Sequence, residues 1–228
     1  LTQLLAKISE QNGNFIELAP GEFVELNKHF KQKLEQIALV SNASEEEINI
    51  SAQHVHAFDS ITEDMENIET DNQWQKQLEK FTKPTPKLAL DKLNITLRPY
   101  QEEGVQWLNK LSHWGLGACL ADDMGLGKTI QTIAILSSRA EKGPQLVIAP
   151  TSVCYNWQKE ISKIAPELNA YILSEHPREE LLKIAGSYDI IIASYGLLQH
   201  AGELIKKTHW TSTILDEAQA IKNSKTKR

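Results

Sequence analysis

The sequence predicts an α/β protein in which helices cover both faces of a parallel sheet, preceded by a small α+β region. Three observations lead there. Beyond residue 97, apolar runs of strand length alternate with helical patterns, the order that crossover connections produce. One such run, Gln145-Leu146-Val147-Ile148-Ala149, is almost wholly apolar, as a strand covered on both faces must be. Another leads through Leu120-Ala121-Asp122-Asp123-Met124-Gly125-Leu126-Gly127-Lys128-Thr129 into a helical pattern, so that a glycine-bearing loop joins strand to helix.

The elements follow in order. Phe15-Ile16-Glu17-Leu18 and Glu22-Phe23-Val24-Glu25-Leu26 flank Ala19-Pro20-Gly21, a turn signal, and predict a β-hairpin. Residues 28–40 carry Phe30, Leu34, Ile37 and Leu39 at roughly helical spacing. Ser44 before Glu45-Glu46-Glu47 reads as a helix cap with acids in the first turn. His54 and His56 alternate as strand ligands would, but no third ligand stands nearby, so ordinary surface or core histidines are expected. Residues 71–81 predict another helix. Lys83-Pro84-Thr85-Pro86-Lys87 reads as a linker, because two prolines block helix continuation. The expected division is an accessory region over 1–82, a linker over 83–96 and the α/β domain over 97–228.

Within that domain a helix is expected over 97–111, with Val105, Leu108 and Leu111 inward. Strands are expected over 116–121, 145–149, 170–173, 188–193 and 212–215. Helices are expected between them, over 130–139, 153–164, 178–185 and 197–207. No internal repeat of solenoid period is present.

Composition bounds the rest. A hydrophobic content of 41% in 228 residues permits a sizeable core. No apolar run approaches the ~20 residues needed to cross a membrane. Cys119 and Cys154 lack metal-ligand spacing and read as buried thiols of a reducing compartment. The formal net charge of −6 argues against tight nucleic-acid binding by these residues alone, although a local basic groove stays open. The chain begins at Leu1, not methionine, and is expected to be a piece of a longer protein.

The chemistry concentrates in two places. Gly125 and Gly127 let the backbone turn its N–H groups toward phosphate oxygens. Lys128 brings a cation for terminal phosphates, Thr129 a hydroxyl for Mg²⁺, and the helix start a favourable dipole. Asp122 stands where the strict phosphate-loop pattern has its first glycine, so an ordinary strand–turn–helix corner is the alternative. Downstream, Ser212-Thr213-Ile214-Leu215 delivers Asp216-Glu217. Adjacent acids after a strand can hold Mg²⁺ on Asp216 and orient an attacking water on Glu217, though a solvated turn carries such acids too.

From Leu97 onward these segments resemble the Swi/Snf family of DNA-dependent ATPases, within helicase superfamily 2. Leu97-Arg98-Pro99-Tyr100-Gln101, with Gly104 and Trp107-Leu108, is similar to that family's adenine-reading segment. The run from Ala121 to Gln131 resembles its motif I, and the family itself carries aspartate at the position of Asp122. Ile148-Ala149-Pro150-Thr151-Ser152 with Asn156-Trp157 resembles motif Ia, and Ile191-Ile192-Ala193-Ser194-Tyr195 motif Ib. Asp216-Glu217-Ala218-Gln219-Ala220-Ile221-Lys222-Asn223 resembles motif II. Asp123, and Gln219 in a histidine's place (a DEAQ box), are similar to bacterial members.

The resemblance implies a RecA-like lobe of the P-loop NTPase type. ATP would be bound by Arg98, Gln101, Met124, Gly125, Leu126, Gly127, Lys128, Thr129 and Ile130, with Gln101 on the adenine edge. Lys128, Asp216 and Glu217 would be catalytic, with Mg²⁺ on Thr129 and Asp216. Pro150, Thr151, Ser152, Ser194 and Tyr195 would meet the backbone of double-stranded DNA without reading sequence. Asn156 and Trp157 would fix their loop to its helix, and Gln219 would couple ATP state to a second RecA-like lobe. That lobe is expected outside this chain, so residues 1–228 are expected to be nearly inactive alone. The whole protein would translocate on DNA and remodel protein–DNA complexes in a bacterial cytoplasm, at the nucleoid, with residues 1–90 open to protein partners. An ATP-responsive interaction scaffold with little hydrolysis is the alternative, and a small-molecule kinase a third reading.

Overall fold

The computed structural model describes residues 4–5, 15–19, 21–43, 47–63, 65 and 69–221. The chain forms two compact units, one of Leu1–Thr85 with Lys110–Ala118, the other of Pro86–Asn109 with Cys119–Arg228.

The first unit opens with the hairpin of β1 (Phe15–Ala19) and β2 (Glu22–Glu25), which pair antiparallel. Gly21 turns it at φ +82°, a conformation that only glycine takes cheaply; Pro20 lies outside the described residues. Helix α1 (Lys28–Val40) starts where the Asn27 side chain accepts the Phe30 N–H at 2.8 Å. Two short strands, β3 (Asn42–Ala43) and β4 (Ile48–Asn49), pair antiparallel. The cap expected at Ser44 falls on 44–46, outside the described residues. A 3₁₀ turn, Ala52–His54, leads into α2 (Val55–Thr62), and His54 and His56 stand there as ordinary histidines. His54 Nδ1 lies 3.1 Å from the Val40 carbonyl, and His56 stands edge-on to Phe81. Helix α3 (Asn72–Thr82) is capped by Asp71. Leu5, Leu26, Leu34, Ile37 and Phe58 form this unit's core, with the Trp74 ring against Phe58.

The second unit is the α/β domain. Helix α4 (Pro99–His113), which belongs to this unit as far as Asn109, begins on a proline, which loses nothing at a position whose N–H has no helical partner. Next come α5 (Lys128–Ser138), β5 (Gln145–Ala149), α6 (Cys154–Ile164), β6 (Asn169–Ile172), α7 (Arg178–Ile184), β7 (Asp189–Ser194), α8 (Tyr195–Lys207) and β8 (Ser212–Leu215). The strands form one parallel sheet in the order β6-β7-β5-β8, with Val147 opposite both Ile192 and Ile214.

Every residue of β5 is buried. Val147 and Ala149 face Ile133 and Leu136 of α5 and Trp157, Ile161 and Ile164 of α6. Leu146 and Ile148 face Leu181 and Leu182 of α7 and Leu197, Ala201 and Ile205 of α8. Strand periodicity sends alternate side chains to opposite faces, so one strand seeds both apolar layers. Gln145 has its amide N–H on the Leu136 carbonyl at 2.7 Å, which ties the strand to the end of α5.

The strand expected over 116–121 does not form, and no strand runs beside β8 on its outer edge among the described residues. The segment follows Gly115 and holds Gly117, Ala118 and Cys119 between Leu116 and Leu120, and apolar content without a paired backbone does not make a strand. Cys119, expected buried, is therefore exposed, whereas Cys154 is buried at the start of α6. Ile192 is fully buried at the middle of β7. Ile192→Ala should destabilise the α/β unit by about 2–5 kcal/mol, while Phe23→Ala on the exposed hairpin should stay within ~0.5 kcal/mol, both read by urea unfolding.

Candidate functional site

The segment 122–127 wraps over the start of α5. Gly125 and Gly127 take φ +85° and +83°, left-handed conformations that β-branched or bulky residues resist. A Cβ on Gly127 would also sit 2.4 Å from Gln101 Nε2, so no side chain fits there. Helix α5 leads through a 3₁₀ turn at Ala140–Lys142 into β5 and packs on the sheet, so its N-terminus points toward the carboxyl ends of the strands, where ligands gather in such sheets.

Lys128 turns its ammonium back into the loop. Its Nζ donates to the Asp122 carbonyl at 2.7 Å and the Asp123 carbonyl at 3.1 Å. Asp122, in the place of a glycine, accepts the side-chain N–H of Gln131 at 3.0 Å. Gln131 is fully buried, and its Oε1 lies 2.0 Å from where a Cβ of Gly104 would stand. Gly104 thus lets α4 approach α5 closely enough to enclose that amide.

Helix α4 holds the loop a second way. Gln101 is nearly buried; its Oε1 accepts the Arg98 N–H at 3.0 Å and its Nε2 donates to the Leu126 carbonyl at 3.1 Å. The Tyr100 hydroxyl donates to the same carbonyl at 3.2 Å. Both ends of the Gln101 amide are therefore engaged. Met124 projects from the loop almost wholly into solvent, Thr129 and Ile130 are half-buried in the first turn of α5, and Arg98 is exposed.

The acids lie at the end of β8. Asp216 continues the ladder, its N–H donating to the Ile148 carbonyl at 2.8 Å. Its carboxylate Oδ2 accepts the indole N–H of Trp157 at 2.8 Å, and its carbonyl accepts the Tyr195 hydroxyl at 2.8 Å. Burial, and then the charges of Asp216 and Glu217, hold the Tyr195 phenol above its usual range, so at neutral pH it remains a donor. Glu217 is exposed and turns at φ +51°, unusual for a residue with a side chain. The Gln219 amide donates to its carboxylate.

The predicted DNA-facing residues lie on two turns at the same strand ends. Pro150 follows β5, and Thr151 and Ser152 are exposed in a 3₁₀ turn that leads into α6. Ser194 ends β7 and caps α8, its hydroxyl oxygen accepting the Leu197 N–H. Tyr195 does not extend outward but bonds Asp216. The sequence reading missed that partnership, and with it those of Trp157 and Gln131. A tryptophan in an amphipathic helix signals core, and nothing in its spacing announces a partner 59 positions away. A cavity of about 460 Å³ on the other face of the sheet, between α8 and the β5–β8 pair, contains none of these residues. No cluster of at least three His, Cys, Asp or Glu side chains poised for a metal occurs among the described residues, nor any helix long and apolar enough to cross a membrane.

The pattern that defines the SNF2-related domain matches residues 100–228. A putative ATP-dependent helicase/translocase of Bacillus subtilis is 46% identical over 140 residues, 58% of this chain and 15% of its own length. The ISWI chromatin-remodeling complex ATPase of Saccharomyces cerevisiae is 45% identical over 140 residues, 58% of this chain and 12% of its own. The chain thus spans a small fraction of these curated relatives. Among solved structures, the SWI2/SNF2 ATPase core of Sulfolobus solfataricus in complex with double-stranded DNA superposes with a TM-score of 0.56 at 43% identity, covering 62% of this chain and 30% of that one. The same core domain solved separately gives 0.52 at 40% identity, covering 64% and 30%. The parallel sheet clad on both faces is the RecA-like one of that core. Over residues 100–228, more than half its length, this chain belongs to the SNF2-related domain family.

Proposed function

We propose that the chain is the first ATP-binding lobe of a DNA-stimulated ATPase that moves along double-stranded DNA and remodels protein–DNA complexes. The observation that carries this is the loop of Lys128. Its ammonium already sits inside a turn built on two left-handed glycines, bonded among the described residues only to neutral carbonyls. Phosphate oxygens would replace those carbonyls with stronger, charge-assisted bonds, and the first N–H groups of α5 would add to them.

The donor set fits Mg²⁺. That ion keeps several waters and takes one or two carboxylates plus substrate phosphates, so Asp216 with the Thr129 hydroxyl suffices without an all-protein cage. When bound, it neutralises charge on the transferring phosphoryl group. Glu217, exposed beside Asp216, orients and deprotonates the attacking water. Gln101 reads adenine by exchanging its bonds to Leu126 and Arg98 for the base edge, with Arg98 beside it. Met124, Gly125, Leu126, Gly127 and Ile130 shape the pocket, and Gln219 reports its state to a second lobe.

Duplex DNA lies across Pro150–Ser152 and Ser194–Tyr195, held through hydroxyls and backbone N–H groups that grip phosphates and read no sequence. The Sulfolobus core solved with double-stranded DNA supports that partner. The lobe over 97–228 carries 15 Lys and Arg against 14 Asp and Glu, a near-neutral balance that supports weak DNA affinity for the lobe alone, with the second lobe completing the grip. Asp123 and Gln219 support a bacterial, cytoplasmic, nucleoid-associated enzyme. Residues 1–90 supply a surface for protein partners.

Nucleotide binding tests the reading. Lys128→Ala should weaken ATP binding by about 10- to 100-fold in a fluorescent-nucleotide titration, since one charged hydrogen bond is worth about 1.5–3 kcal/mol. Unchanged affinity would remove the loop from the site. In a protein with both lobes, Glu217→Gln should slow DNA-stimulated hydrolysis by roughly 10²- to 10⁴-fold while nucleotide affinity is kept. Residues 1–228 alone should hydrolyse ATP negligibly, because arginines supplied from a partner lobe contribute ~10³-fold or more. Robust DNA-stimulated turnover by this chain alone would contradict that.

A further inference from the structure

Asp216 is anchored at every polar group but one. Its N–H is bound to Ile148 of β5 and its carbonyl to the Tyr195 hydroxyl at the start of α8. Its carboxylate Oδ2 is bound to Trp157 of α6. Its remaining oxygen, Oδ1, has no hydrogen-bond donor among the described residues. The adjacent Glu217 has no such frame: it is exposed, and among the described residues its carboxylate meets only the neighbouring Gln219.

The indole suits this task. It carries one N–H and no acceptor, so it can engage the carboxylate in only one sense. Trp157 is 4% exposed, with its ring among Ile161, Ile164, Val147 and Ile192, so the ring cannot swing away without opening the core. A carboxylate otherwise rotates freely about its last bond. A fixed donor at 2.8 Å on one oxygen sets the plane of the group and leaves the other oxygen in a defined direction.

We infer that Trp157 is a positioning residue: its buried indole N–H pins Asp216 Oδ2 and reserves Oδ1 for the divalent cation that accompanies the nucleotide. The inference builds on the reading of Asp216 as a cation ligand and adds the side chain that aims it. Hydrogen-bond partners of metal ligands are typically worth about 10- to 100-fold in metal affinity. Trp157 follows the 150–152 turn on the same helix, and Tyr195 belongs to the other turn proposed to meet DNA. The segments that face the duplex thus also carry the groups that hold the metal ligand.

The test uses Mn²⁺ with ATP on the 228-residue chain. Free Mn²⁺ is read by electron paramagnetic resonance, and the five tryptophan indole N–H signals by ¹⁵N NMR. Trp157→Phe removes the donor and keeps a smaller aromatic ring in its place. It should weaken Mn²⁺ binding about 10-fold, leave ATP affinity in EDTA unchanged and leave the thermal midpoint within a few degrees. In the wild type, the indole signal that this variant lacks should broaden first as Mn²⁺ is added. A purely structural Trp157 would lower the thermal midpoint and leave Mn²⁺ affinity unchanged, and that outcome overturns the inference. Asp216→Ala separates the two levels. If it binds Mn²⁺ as the wild type does, the reading of Asp216 as a ligand falls and the inference with it. If Asp216→Ala weakens binding and Trp157→Phe does not, the inference alone falls. Should Trp157→Phe fail to fold, the exchange of the Trp157 indole N–H with solvent decides: Asp216→Ala should accelerate it markedly, and unchanged exchange overturns the proposal.

Discussion

The burial of β5 on both faces is the constraint on which the α/β unit depends. A strand with no access to water must satisfy every backbone N–H and C=O through its neighbours, since each unpaired group would cost on the order of a few kcal/mol. That demand fixes the register of β7 on one side and β8 on the other. Register in turn fixes where each strand ends. Ala149, Ser194 and Leu215 finish near one another, and the turns that follow them carry Pro150–Ser152, Tyr195 and Asp216-Glu217. The Ile148 carbonyl even extends the ladder to Asp216, so the acid is placed by the same bonds that build the sheet.

The phosphate loop depends on a different economy. Its conformation is held by helices, not by a ladder: α4 through Gln101 and Tyr100 on the Leu126 carbonyl, and α5 through Gln131 on Asp122. Glycine is needed at 127 for two independent reasons, its positive φ and the approach of Gln101. Glycine at 104 serves the contact of α4 with α5, where the Gln131 amide would strike any Cβ. These residues are spread over about thirty positions of sequence, yet they meet around one loop.

Much of this was legible beforehand. Helix α1 was readable from Phe30, Leu34 and Ile37, and strand β5 from its unbroken apolar run, because burial on one face or on two leaves a direct imprint on hydropathy. The loop was readable because phosphate binding demands glycine, lysine and a hydroxyl in a fixed order. What misled was apolar content without a partner. Residues 116–121 have the composition of a strand but no backbone beside them to pair with, and Cys119 is exposed as a result. His54 and His56, by contrast, are the ordinary histidines expected: one meets the Val40 carbonyl and the other the Phe81 ring.

The sequence by itself determined the class of fold, the order of its elements and the chemical identity of the candidate site, since each leaves a local pattern of period, glycine or charge. Only the tertiary structure decided which side chains hold that site in place. Trp157 looks like core from its helical spacing and is core, but its single polar atom points at Asp216. Tyr195 looks like a loop residue and closes on the same acid. Such pairings join residues far apart in the chain through one hydrogen bond each. They leave no periodicity to read, because the geometry that creates them exists only once the sheet has set its register.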